Sequence, residues 1–167
     1  DEPLVVSIKK EEEENQEVKE EIKDAATLTQ EIYSINGPIG HLYIPKTGLD
    51  TDIFSNQTVE KMEEMPCFLY TTGGLNKVGT TLFTGHNRVN GTLFSDNGKL
   101  EVGDEFYFRD LNNVELKYII YSKSIKEDID ITYMNEEVSC PTIALSCCTD
   151  NNDEYRIVIL GRAEFEK

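Results

Sequence analysis

From about residue 35 onward the hydrophobic positions fall in short runs rich in Ile, Val, Tyr and Phe, separated by Gly, Asn, Asp and Pro. Short strands joined by tight turns produce that rhythm, so an all-β barrel or sandwich is expected. A first strand is read at residues 40–45, where Gly40-His-Leu-Tyr-Ile is stopped by Pro45. In residues 58–65 the spacing changes: Val59, Met62 and Met65 recur at helical intervals and Pro66 stops the run, which predicts one short helix between strands. Residues 79–84 read as a strand leading into Gly85-His86, and residues 91–94 as the opening of a helical turn. Residues 105–109 and 114–121 alternate on either side of Asp110-Leu-Asn-Asn113, the pattern of a hairpin closed by an Asx-rich turn. Residues 123–139 are charged, contain Asp128-Ile-Asp130 and lack periodicity, so they are expected to form a loop over the open end of the sheet, where rim loops commonly shape grooves. Two apolar runs, 142–148 and 156–161, complete the chain's β-like pattern.

Length and charge narrow this picture. A chain of 167 residues supports one domain with a real core. Residues 7–24 are dominated by charge and hold almost no core material, and read as a solvated spacer, part helical around Val18 and Ile22. The expected division is an acidic extension over residues 1–30 and a barrel over 31–167. Sixteen basic against 32 acidic residues give a formal charge of -16, which repels phosphate backbones and anionic headgroups and makes nucleic acid an unsuitable partner. No apolar run approaches the roughly 18 residues that span a bilayer, and no signal peptide is evident. The start at Asp1 rather than Met suggests a processed or truncated product, with an anchor outside it.

The candidate chemistry lies near the C-terminus. If residues 142–148 form a strand, Ile143, Leu145 and Cys147 share one face, and Ala144, Ser146 and Cys148 the other. Cys147 then joins an aliphatic row and reads as packing, whereas Cys148 joins small and polar residues on a face able to border a groove. Cys148 is thus the nucleophile candidate, with an inert buried cysteine as the alternative. His86 follows Gly85 at a strand end and is the candidate base or proton carrier, while His41, inside the first strand, reads as structural or exposed. Arg156 opens an aliphatic strand, where a guanidinium needs solvent or an anion to offset desolvation. Thiol, imidazole and guanidinium suit acyl transfer. The four cysteines, Cys67, Cys140, Cys147 and Cys148, are too few and too irregularly spaced for a disulfide framework. Zinc spacings are also absent, which leaves metal binding by Cys147, Cys148 and a distant His as a minor alternative.

Ala144-Leu-Ser-Cys-Cys148, Arg156-Ile-Val-Ile-Leu-Gly161 and the upstream Gly85-His86 together resemble the sortase family, the cysteine transpeptidases that attach proteins to the Gram-positive cell wall or build pili. The likeness runs over residues 35–164 and takes in Ile44-Pro45-Lys46, Asn76 and Leu100-x-x-Gly103-Asp104. Two positions depart from the family pattern. Cys147 replaces the small hydroxyl residue before the nucleophile, and Ala144 replaces the leading Thr. The adjacent cysteines also raise a vicinal disulfide as a means of silencing the thiol, although its eight-membered ring strains the peptide.

The resemblance implies a closed or nearly closed eight-stranded barrel with one or two short helices. It also implies Cys148, His86 and Arg156 as catalytic residues and Ala144 and Ser146 as substrate neighbours. Cys148 would attack the Thr carbonyl of a Leu-Pro-x-Thr-Gly-like sorting signal on a surface protein, and an amine of a peptidoglycan precursor or a pilin lysine would resolve the acyl-enzyme. The expected protein is a monomer at the outer face of the plasma membrane, its acidic juxtamembrane-type extension standing the barrel off the bilayer. No cofactor is required. Calcium binding, known in some sortases, would draw on Glu101, Asp104, Asp128 and Asp130. A short link from Cys148 to Arg156 and the lack of an aromatic Asp-Pro lid motif place the chain nearer to housekeeping or sporulation-type sortases than to pilus polymerases. The alternative functions are a non-catalytic β-barrel module that binds peptide or cell wall, and a redox or metal-binding thiol protein.

Overall fold

Period-two alternation in the sequence becomes a closed wall in the computed structural model, which describes residues 23–150 and 152–164. The expected spacer around Val18 and Ile22 lies outside the described residues. In chain order the elements are helix α1 (Ala25–Tyr33), strands β1 (Pro38–Ile44) and β2 (Leu49–Phe54), helix α2 (Val59–Glu64), and strands β3 (Cys67–Thr71), β4 (Gly79–Thr84), β5 (Glu105–Asp110), β6 (Glu115–Glu127), β7 (Pro141–Thr149) and β8 (Asn152–Ala163). The strands close a barrel in the order β1-β2-β3-β4-β7-β8-β6-β5. The expected eight-stranded barrel with two short helices is therefore observed.

Strand β5 illustrates how the core is made. Its alternation sends Phe106 and Phe108 inward with no exposure, while Arg109 stays outside. Burial of each ring contributes about 1.5–3 kcal/mol. Phe106 stacks on Tyr118 of β6 at a centroid separation of 5.3 Å, and Phe108 meets Phe83 of β4 at 5.0 Å across the interior. Gly161 on β8 leaves the room this needs, because a Cβ there would stand 2.6 Å from the Phe106 ring.

Strand β7 is buried on both faces from Pro141 to Cys147. Its inner residues Ile143, Leu145 and Cys147 join the main core, while its outer residue Ala144 is covered by Tyr133 and Met134. Both cover residues come from a short 3-10 turn at Thr132–Asn135. The expected loop over residues 123–139 is accordingly shorter than the sequence pattern predicts. Pairing with β8 carries β6 through Lys126↔Arg156 to Glu127↔Tyr155, so a neighbouring strand, not apolar alternation, keeps this polar stretch extended.

Residues 91–94 also differ from expectation. They make an isolated bridge, Asn87↔Leu93, instead of a helical turn, and the 3-10 turn falls later, at Asn97–Lys99. The Asn90 side chain accepts from the Thr92 backbone N–H and hydroxyl at 3.0 and 2.6 Å, a local bond that competes with helix formation. Helix α2 forms where predicted, with Thr58 as its cap, and buries Met62; Val59 points to solvent. Strands β2 and β3 have no counterpart in the sequence reading.

Helix α1 crosses residue 30, the expected boundary, and docks on β3. Thr29 exchanges hydrogen bonds with the Thr71 backbone at 3.2 and 3.1 Å, and the Tyr33 hydroxyl donates to the Leu69 carbonyl. At the opposite side of the β3–β4 turn, Asn76 holds φ +57 and joins that turn to the hairpin. Its amide nitrogen lies 3.0–3.2 Å from Val114 O, Phe108 O and Asp110 Oδ2, and its oxygen accepts from the buried Tyr118 hydroxyl at 2.6 Å. Replacing Asn76 by Ala leaves that hydroxyl and two main-chain carbonyls short of a partner. Denaturant unfolding is expected to show a loss of about 1–3 kcal/mol, and an unchanged midpoint would contradict this role.

Candidate active site

Strand register brings the chemistry together. Cys148 pairs with Arg156 across the antiparallel β7–β8 ladder, the last regular pair before a shift at Thr149. Directly opposed residues of such a pair share a face, with Cβ atoms about 5 Å apart. On its other edge β7 runs parallel to β4, with Thr84 opposite Ser146. Just past the end of β4, Gly85 N–H donates to the Ser146 carbonyl at 3.1 Å, which sets His86 beside the end of β7. Cys148, His86 and Arg156 consequently line one cleft of about 260 Å³, together with Ser146, Met62 and Tyr133.

The two adjacent cysteines differ as alternation predicts. Cys147 is 2 % exposed inside the barrel, and burial pushes its thiol up to about 12, with smaller contributions from Cys148 and Asp150. Cys148 is half-buried at the cleft. All four cysteines are free thiols. Ser146 also lines the cleft, whereas Ala144 is fully buried beneath Tyr133 and does not reach it, so of the two expected substrate neighbours only Ser146 is placed to contact a ligand.

Gly85 matters because of close packing. A Cβ at this position would stand 2.6 Å from the ring of Phe94, which is itself completely buried. Only a glycine lets the chain pass that ring and deliver His86 to the cleft. The His86 imidazole Nε2 lies 3.9 Å from Glu63 Oε1 on α2, and the other oxygen of Glu63 is 2.5 Å from Arg88 Nη2. Arg156 donates from Nη1 to the carbonyls of Asp153 and Tyr155. A guanidinium has five N–H donors, so these bonds orient it without exhausting its capacity.

Other expected positions lie elsewhere. His41 is on β1, four strands from β7 in either direction round the barrel, and sits between Asp50 and Asp52. Burial lowers its pKa, but the two carboxylates outweigh that and raise it overall. The four carboxylates that calcium would draw on do not converge: Asp128 and Asp130 line the cleft, while Asp104 pairs with Lys46 and Glu101 with Lys123. Among the described residues no three His, Cys, Asp or Glu side chains form a metal-binding group.

Glu63, Arg88 and Tyr133 at or near the cleft were not foreseen. The helical spacing of residues 58–65 was the one signal that a side chain from α2 stands near His86. Tyr133 is buried, which pushes its phenol up to about 12, aided by Asp130 and opposed by Ser146.

Residues 42–164 match the family model of the Sortase domain. The chain belongs to the sortase family, the cysteine transpeptidases. Similar solved structures include sortase C1 from Streptococcus suis, with TM-score 0.72 and 19% identity over 83% of this chain and 79% of that one. Sortase A from Listeria monocytogenes gives TM-score 0.69 and 18% identity over 77% and 88% of the two chains. Sortase A from Corynebacterium diphtheriae gives TM-score 0.70 and 19% identity over 79% and 63%. The comparison with curated proteins gives no match. Sortases of types A and C superpose about equally well, so the fold does not assign a subclass. Sortases are generally independent of cofactors.

Thiol accessibility provides a direct check. In the folded protein, iodoacetamide is expected to modify Cys148 and the partly exposed Cys140, and to spare Cys67 and Cys147, whose burial pushes their thiols up to about 11 and about 12. Peptide mapping that finds Cys147 modified before Cys148 would contradict the assignment of faces.

Proposed function

We propose that Cys148 is the nucleophile of this sortase and that it cleaves a Leu-Pro-x-Thr-Gly-like sorting signal on a surface protein. Its thiolate adds to the Thr carbonyl, and the tetrahedral intermediate collapses to a thioester as the C-S bond is kept and the Thr-Gly C-N bond breaks. His86, in its protonated form, gives a proton to the departing amine. An amino group from a peptidoglycan precursor or a pilin lysine then adds to the thioester, loses a proton to His86 and releases Cys148. Arg156 binds substrate carbonyls and stabilises the oxyanion in both steps. Ser146 and Tyr133 border the bound peptide.

The observation that carries this reading is the cross-strand pair Cys148↔Arg156, with His86 on the adjoining edge and all three lining one cleft. Sortases act at the cell surface. Among the described residues no helix is long and apolar enough to cross a membrane. We infer that the enzyme works tethered at the outer face of the plasma membrane, with the acidic extension over residues 1–30 as its juxtamembrane-type spacer. The short Cys148-to-Arg156 link favours a housekeeping or sporulation-type role, exercised by a monomer.

Mass spectrometry of the protein incubated with candidate sorting pentapeptides and amines tests the reaction. The acyl-enzyme mass is expected on Cys148, followed by transfer product when amine is added. C148A is expected to form neither. Arg156→Ala should lower kcat by about 10²–10³-fold, and His86→Ala by about 10²–10⁴-fold. Peptide binding without any acyl-enzyme would instead identify a non-catalytic binding module.

A further inference from the structure

The β4–β7 ladder ends at the cleft. Its last backbone bond runs from Gly85 N–H to the Ser146 carbonyl at 3.1 Å. In a parallel pair with this register the next N–H donated from the β4 side would be that of Asn87, to the Cys148 carbonyl. That carbonyl instead accepts from the Asn87 side-chain nitrogen at 3.0 Å. The same nitrogen donates to Asp150 Oδ1 at 2.6 Å, in the turn that leads to Arg156, and the side-chain oxygen accepts from the Val89 N–H at 3.0 Å. Both hydrogens and the oxygen of the carboxamide are therefore used, which fixes its orientation. The His86 carbonyl, on the other edge of the chain, accepts from Phe94 N–H at 3.0 Å.

We propose that Asn87 is a positioning residue for the proposed acyl transfer, its carboxamide standing in for a missing backbone rung and thereby locking His86 against Cys148. The substitution resolves a geometrical conflict. Beyond Gly85 the chain leaves β7 and bridges instead to its own following loop, Asn87↔Leu93. Leaving the sheet without a replacement donor would free the end of β7 and strand the Cys148 carbonyl. One side chain, adjacent in sequence to the histidine, bonds the cysteine's own carbonyl and the turn that precedes the arginine. It consequently couples the three elements that carry His86, Cys148 and Arg156. Asn87 touches no reacting atom; it acts through the other two residues.

This inference rests on the functional reading above, and the test separates the two. N87D keeps the shape and the acceptor for Val89 but loses both donated bonds. N87A loses them without adding charge. Each variant is first shown to be folded by its unfolding midpoint. Expected is a fall in kcat of about 10²-fold with KM little changed, the size of effect produced by a misplacement of about 1 Å. The rate of Cys148 alkylation by iodoacetamide, which needs no sorting peptide, should fall in N87A towards that of H86A. D150N, which spares the bond to the Cys148 carbonyl, should lose less than N87D. Combining N87D with D150N restores a hydrogen bond between positions 87 and 150 but no donor to that carbonyl, and should not recover kcat. Recovery in the double variant, or folded N87A with wild-type kcat and alkylation rate, would overturn the positioning role. An alkylation rate lowered in H86A but not in N87A overturns this role alone; a rate unchanged in H86A overturns it together with the functional reading.

Discussion

The register of β7 between its two neighbours is the constraint on which the site depends. Residue 86 is far in sequence from residues 148 and 156, and two ladders bring all three to one end of three adjacent strands. Because side chains alternate with a period of two, a slip of one residue in either ladder would send Arg156 or Cys148 to the opposite face. Several features oppose such a slip. Ile143, Leu145 and Cys147 are committed to the core, and Ala144 is committed to the outer cover formed by Tyr133 and Met134. A shifted register would place the guanidinium in the barrel interior, where an unpaired charge is very costly.

The same alternation explains why two neighbouring cysteines have different chemistry. Cys147 is the end of an aliphatic row, and the low-polarity surroundings that make it good packing also keep it protonated. Cys148 stands where the outer cover stops and the cleft begins. Position 147 can thus hold a cysteine without adding a second exposed thiol beside Cys148, because that side chain faces the core. Their opposite directions also explain why the sequence-level concern about a vicinal disulfide is not reflected in the structure, in which both thiols are free.

Much of this was legible in the sequence because it rests on local pattern. The hairpin at Asp110–Asn113, the strand before Gly85, the faces of residues 142–148 and the short helix within 58–65 all follow from spacing and turn chemistry, and the structure has them. What was not legible rests on partners distant in sequence. Strand β2 carries Asp50 and Asp52 on its outer side, and its pairing with β1 is not visible in local pattern. The polar end of β6 is extended only because β8 lies beside it. Helix α1 spans the boundary expected at residue 30 because Thr29 and Ile32 find a binding surface on β3 that composition does not reveal. Nothing in local pattern marks Asn87, because its contacts depend on where the Cys148 carbonyl comes to lie. Ala144 shared the predicted face with Ser146 and Cys148 but fell under a cover contributed by residues read as part of a loop.

Backbone nuclear Overhauser contacts between β7 and β8 in solution measure the central constraint most directly. Cross-strand contacts pairing Cys148 with Arg156 and Ser146 with Val158 are the predicted result. Contacts that instead pair Cys148 with Tyr155 or Ile157 would mean a register displaced by one residue, with thiol and guanidinium on opposite faces, and would contradict the account.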